Sequence, residues 1–210
     1  MTTPPDLLVL HAVRLLGFGP AARVAARFDL DPDLVGELLE DHRAVGLVAW
    51  SAFGDTEGWS LTERGRAAGE RRLAAELDAT GRRDLARRTY LDFLDLNARL
   101  LRAVTDWQTR PVVGDPFAAN DHHDLRWDRR VLATLGELGS LLRPVMTPLA
   151  VALPRFAGYD ERYAAALSRA EAGQPHWVDG IGIDSCHTVW FQLHEDLIAT
   201  LGIARGNEPA

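Results

Sequence analysis

The sequence predicts a mainly helical protein with one small β-hairpin in its first third. Three observations lead there. Apolar residues at helical spacing dominate the chain, two β-type runs bracket a turn-rich hexapeptide near residue 50, and beyond residue 84 only helical patterns remain. The apolar stripe in LLVLHAVRLL gives a first helix, and PAARVAARF gives a second that opens on Pro20. After the turn DLDP, Asp31 supplies an N-cap and Pro32 a first-turn proline for a third helix, DLVGELLEDHRAVG, which Gly46 closes. Its buried stripe is expected to be Leu34, Val35, Leu38, Leu39 and Val45. LVAW and GWSL then read as short strands around the tip AFGDTE, and LTERGRAAGE restarts a helix behind Thr62. Helix, helix, tight turn, helix, hairpin, helix is the order of a winged helix-turn-helix, assigned to residues 5–78.

The second region is assigned to residues 82–203, after a break at DATGRRD where Thr80-Gly81 interrupts the helical charge pattern. DLARRTYLDFLDLNARLLRAVTDW buries one broad face through Leu85, Tyr90, Phe93, Leu94, Leu96, Leu100, Leu101 and Val104. A loop, TRPVVGDPFAANDHHD, leads to LRWDRRVLATLGELGSLLRPVMTPLAVAL, which Pro144 and Pro148 are expected to kink or split. GYDERYAAALSRAEAG is a shorter helix. SCHTVWFQLHEDLIATLG begins behind Asp184 or Ser185 and stops at Gly202. Such helices pack as an irregular bundle, and the terminal RGNEPA is expected to be disordered.

Bulk composition narrows the function classes. Of the 210 residues 47% are apolar and 25% charged, ordinary for a globular protein. No run approaches the roughly 18–20 apolar residues of a membrane span. MTTPPDLLVL lacks the basic start and small-residue cleavage site of a secretory signal. The single cysteine, Cys186, excludes an intramolecular disulfide framework, so a cytoplasmic protein without a membrane partner is expected. All 23 basic residues are arginine, and the net charge is −7, which argues against a surface that holds nucleic acid throughout. Residues 1–63 carry four arginines against ten acids, whereas residues 64–88 carry eight against four.

The third helix, the element a helix-turn-helix would insert into DNA, turns Asp33, Glu37, Glu40 and Asp41 outward, offset only by His42 and Arg43. Each such charge about 6 Å from a phosphate costs about 0.7 kcal/mol at bulk-water dielectric. Together they remove about 1–3 kcal/mol from the roughly 5–8 kcal/mol of non-specific binding. Arg23, Arg27, Arg43, Ser51, Arg64 and Arg66 are the candidates for phosphate contact, against the alternative that each lies on a solvated face. The acidic face also suits a protein-docking module.

The polar constellations of the second region define a candidate ligand pocket. His187, Trp190, Phe191 and His194 fall at i, i+3, i+4 and i+7, hence on one helix face. With Asp106, Trp107 and His122 they are the candidate ligand-binding residues; the alternative is that the histidines are core residues bonded to Asp106 or Asp121. Seven residues separate His187 and His194 by about 10.5 Å, too far for easy chelation of one ion. NDHHDLRWD offers Asp121, His122, His123 and Asp124, which read more readily as a capping loop than as metal ligands. No metal or cofactor is assigned. An enzyme reading would use His187 and His194 with Asp184 or Asp121 in acid–base chemistry. No phosphate-cradling glycine loop, GxSxG or CxxC is present.

The first 78 residues resemble winged-helix regulators of the MarR and PadR kind, in element order and in WSLTERGR, which is similar to their LT–x–x–G finish. Across its length, above all in TDWQ, the NDH loop and DSCHTVWFQLHEDLIATLG, the chain also resembles a group of actinobacterial proteins described as regulators or left uncharacterised. A similar module is appended to some phosphoenolpyruvate-utilising enzymes. The first resemblance implies a DNA-binding transcription regulator, homodimeric, with double-stranded DNA and a small molecule as partners; the second brings no activity with it.

Overall fold

The computed structural model describes residues 2–203; the RGNEPA tail lies outside them. The helices are α1 (Pro5–Leu16), α2 (Ala21–Arg27), α3 (Pro32–Ala44), α4 (Glu63–Thr80), α5 (Arg83–Gln108), α6 (Leu125–Ala152), α7 (Tyr159–Glu171), α8 (His176–Asp179) and α9 (Cys186–Leu201). The strands β1 (Val48–Phe53) and β2 (Thr56–Leu61) pair antiparallel. Two compact units emerge: residues 2–84 with 152–155 and 194–203, and Leu85–Val151 with Phe156–Leu193. The C-terminal half of α9 thus belongs with the N-terminal elements, which no local sequence pattern indicates.

In the first unit, α1 packs against α2, α3, α4 and β2. Val9, Leu10, Val13, Val24, Val35, Leu39, Val48 and Trp59 form its core. Asp31 caps α3 by accepting from the N–H groups of Asp33 and Leu34, both at 3.0 Å. Gly46 follows α3 at φ 73°, where the absence of a Cβ removes the left-handed penalty.

The hairpin is longer than its β-type runs suggest. Phe53 pairs with Thr56, so the tip shrinks to Gly54-Asp55, with Gly54 at φ 57°. Gly19 forms a further antiparallel pairing with Trp59: the Trp59 N–H donates to the Gly19 carbonyl at 2.8 Å, and the Gly19 N–H returns a bond at 3.2 Å. Gly58 makes this approach possible, since a Cβ there would lie 2.7 Å from the Gly19 carbonyl carbon.

Thr62 explains the LT–x–x–G finish. Its hydroxyl donates to the Gly46 carbonyl at 2.8 Å and accepts from the Gly65 N–H at 2.9 Å, capping α4 and tying it to the end of α3. Gly65 sits directly over the Leu47 carbonyl.

The second unit is helical. Ala86, Tyr90, Phe93, Leu96, Leu100, Val104 and Trp107 of α5 are buried, as are Val131, Leu135, Leu138, Leu142, Met146 and Leu149 of α6. Both stripes advance by three or four residues, the knobs-into-holes spacing of packed helices. Leu101, expected inward, is half exposed because it falls at the edge of this stripe. Pro144 and Pro148 do not split α6, which runs unbroken through both. Both prolines are exposed, so carbonyls left without an intrahelical donor can bond to water. Gly139 on α6 leaves room for the Tyr163 ring, 3.0 Å from where a Cβ would stand, and the Tyr163 hydroxyl donates to the Leu135 carbonyl at 3.0 Å. Ser185 caps α9, accepting from the Thr188 N–H at 3.2 Å. Among the described residues no helix is long and apolar enough to cross a membrane.

Candidate functional site

On the first unit the face of interest is the outside of α3 with the hairpin beside it. The inward residues are Val35, Leu39 and His42, at i, i+4 and i+7. This corrects the expected stripe. Leu34 and Val45 lie outside, 37% and 51% exposed, because the 3.6-residue period carries them past the buried line. His42 is buried, with its Nε2 2.8 Å from the Asp6 carbonyl, and does not offset the acids. Asp33, Glu37, Glu40 and Asp41 are exposed.

The six candidate phosphate contacts are unequally available. Arg27 is buried and stacks 4.3 Å over the Phe28 ring. Arg43 is held by Glu40 at 2.7 Å, and Arg66 lies 3.6 Å from Glu195. Arg23 and Ser51 are half-buried; Arg64 is exposed in the first turn of α4, beside Gly46.

In the second unit Trp107, Asn120, His122 and Asp128 converge. Asn120 is buried, and its Nδ2 donates to the Trp107 carbonyl at 3.0 Å and to Asp128 Oδ1 at 2.9 Å. The Nδ1 of His122 lies 3.1 Å from Asp128 Oδ2, and its ring packs 4.5 Å from that of Trp107. His122 holds φ 58°, a left-handed conformation uncommon for a residue with a Cβ, and Asn120 Oδ1 stabilises it by accepting the His122 N–H at 3.2 Å.

Asp124 caps α6, accepting from the N–H groups of Arg126 and Trp127, both at 3.1 Å. Asp121 is exposed; the backbone N–H of His123, and then its ring, hold the Asp121 carboxyl below its ordinary range. Among the described residues no three His, Cys, Asp or Glu side chains group as metal ligands.

Beside this cluster α5 and α6 border a groove of about 440 Å³, lined by Arg99, Arg102 and Asp106 from one helix and Arg130, Val131 and Thr134 from the other. Trp127 joins groove to cluster: its indole N–H donates to the Asp106 carbonyl at 2.6 Å, and Arg130 stacks 4.2 Å over its ring. Asp106, Trp107 and His122 therefore gather in one region.

The aromatic stripe of α9 is dispersed. Trp190 is a core residue, stacked 5.2 Å from Phe93 and tilted against Tyr163 at 5.5 Å, with its N–H on Asn97 at 3.1 Å. Phe191 is 44% exposed, and His187 is half-buried. His194 is buried and belongs to the first unit. Asp184 accepts from Arg162 at 2.8 Å. Burial pushes the Cys186 thiol up to about 12, which leaves it protonated and inert.

Sequence reasoning missed a buried ionic network in the first unit. Arg155, 5% exposed, bonds Glu76 at 3.1 Å, Thr200 at 2.8 Å and Asp196. His11 Nε2 lies 2.9 Å from Asp196 Oδ1, and Thr3 donates to Glu76. Arg14 bridges Glu195 and Glu70, each at 2.7 Å. Burial alone would raise the Asp196 carboxyl, yet Arg155, with His11 and Arg27, outweighs it and holds Asp196 well below the usual carboxylate range. Burial pushes His11 below its ordinary 6.5 despite Asp196, keeping it neutral. The hint in the sequence was Glu195-Asp196, two acids in mid-helix on a segment that carries no other carboxylate.

Comparison with known family models, characterised proteins and solved structures finds no match for this chain.

Proposed function

We propose that the chain is a cytoplasmic, homodimeric transcription regulator. Its first unit is a winged helix-turn-helix addressing double-stranded DNA, and its second is a helical receptor for a small molecule. The observation that carries this reading is the order α1, α2, α3, β1, β2, with Gly19 pairing to Trp59 so that the hairpin is anchored at the segment leading into α2. That is the arrangement in which one helix lies in a groove while a wing reaches the flanking backbone. Binding draws on few positive groups, Arg23 and Arg64 with Ser51, and works against the carboxylates of α3. It is therefore weak, and less dependent on salt than the binding of a protein that makes roughly six to ten phosphate contacts. Four phosphate contacts in a dimer give a loss of about a hundredfold in affinity between roughly 50 and 200 mM salt.

Fluorescence anisotropy with duplex DNA flanking the gene tests this. Salt-dependent binding that weakens in Arg64→Ala is expected. No binding to such DNA at micromolar protein overturns the reading.

A second reading rests on the exposed Leu34, Val45, Trp50 and Phe53 beside the acids of α3. In it the same face docks a basic amphipathic protein segment. Replacing Glu37 and Asp41 by lysine separates the two: the change strengthens binding to a phosphate backbone and abolishes docking of a basic segment.

A further inference from the structure

We infer that the groove between α5 and α6 binds a small organic phosphate, a phosphomonoester whose carbon portion lies on Ala103 and Val131. This deepens the receptor half of the proposed function and rests on it only for what binding is used for.

The volume of about 440 Å³ falls within the range of small-ligand pockets. Its lining carries three guanidinium groups, Arg99, Arg102 and Arg130, against one carboxylate, Asp106. Arg99, Arg102 and Asp106 stand at i, i+3 and i+7 of α5, so helical geometry places them on one face. A carboxylate ligand has two oxygens to offer; a phosphomonoester has three terminal oxygens and about −1.5 to −2 charge near neutrality, which matches three planar forks better.

Arg130 is held in advance. The Trp127 indole N–H is bonded to the Asp106 carbonyl at 2.6 Å, and the Arg130 guanidinium lies 4.2 Å over that ring, so little rotamer freedom is lost when an anion arrives. Among the described residues Arg99 pairs with Glu137, at 3.2 Å, through side chains 45% and 70% exposed; such a pair yields readily to a dianion. Asp106 gives the site polarity. It repels a second anionic group and accepts from a hydroxyl or amine of the ligand.

Isothermal titration of the full chain at low salt, without DNA, tests this with phenyl phosphate as probe and inorganic phosphate and phenol as separate arms. Saturable sub-millimolar binding of phenyl phosphate is expected, at least about fivefold tighter than inorganic phosphate and absent for phenol. Arg102→Ala and Arg130→Ala each weaken it about tenfold, while Asp106→Asn tightens it. Arg143→Ala, outside the groove, leaves it unchanged, and circular dichroism verifies that each variant is folded. No saturation by about 10 mM, equal binding of inorganic phosphate or phenol, or indifference to Arg102 and Arg130 in folded variants overturns the inference. Failure of DNA binding leaves this measurement untouched, and the reverse also holds.

Discussion

Replacing Gly65 by alanine is the sharpest test of how α4 is seated. The added Cβ would stand 1.9 Å from the Leu47 carbonyl oxygen and 2.8 Å from its carbon, far inside van der Waals contact. Leu47 cannot turn away, because its carbonyl accepts the Thr62 N–H at 3.1 Å and β1 begins at the next residue. The start of α4 must therefore back off by more than 1 Å (roughly the shortfall from ordinary contact), which strains the Thr62 cap and loosens the core around Val48. Overpacking of this kind costs about 1–3 kcal/mol, and a weakened cap adds about 1 kcal/mol. Alanine's helix preference returns about 1 kcal/mol, leaving a net loss of about 1–3 kcal/mol.

Gly69→Ala is the matched control. It lies on the same helix, but its Cβ would meet the Leu10 side chain, Cδ2 at 3.7 Å and Cγ at 4.0 Å, in ordinary contact. Stability should rise there by about 0.5–1 kcal/mol. Urea denaturation followed by circular dichroism reads both. If Gly65→Ala matches or exceeds the parent in stability, or the two substitutions shift the midpoint equally in one direction, the seating of α4 on Leu47 is wrong.

Three further outcomes follow from buried groups. Arg155→Met should destabilise by about 3–5 kcal/mol because Glu76 and Asp196 lose their buried counter-charge, whereas Arg43→Ala, which removes an exposed pair with Glu40, should cost under about 0.5 kcal/mol; denaturant midpoints decide. Stability should fall on acidification in two stages. His11, pushed below its ordinary 6.5 by burial, contributes fully above that value and less as pH drops toward its folded pKa, and Asp196, held low, contributes above the ordinary carboxylate range and is lost as pH falls through its own depressed value. His11→Gln should flatten the first stage in a pH series of unfolding curves while leaving the second. Cys186, fully buried with its thiol pushed up to about 12, should react with a thiol reagent only as fast as the protein opens; rapid labelling of the native protein would contradict its placement.

Local chemistry was legible wherever a residue acts on its neighbours. Asp31, Thr62 and Ser185 cap helices because their oxygens reach N–H groups two or three positions on, and Gly46 and Gly81 end helices because only glycine takes a positive φ without penalty. Asp106, Trp107 and His122 were singled out by residue type at a helix end and in the loop beyond it, yet Asn120 and Asp128, which bind Trp107 and His122 into a cluster, were not. Their partners lie eight and thirteen residues away across a loop whose path no periodicity encodes. Trp190 and His187 share a helix face, but a face does not say what covers it; for Trp190 the cover is Phe93 and Tyr163.

By itself, then, the sequence determined the types of the main elements, the capped starts of α3, α4 and α9 and the acidic exterior of α3, since each depends on interactions within a turn or two of helix. Tertiary structure alone decided that Asp196 meets His11 across 185 positions, that Arg130 stacks on Trp127 beside a groove, and that β1 and β2 extend to a two-residue tip. Burial energies and long-range charge pairs depend on which surfaces meet, and a one-dimensional pattern carries the period of a surface without the identity of its partner.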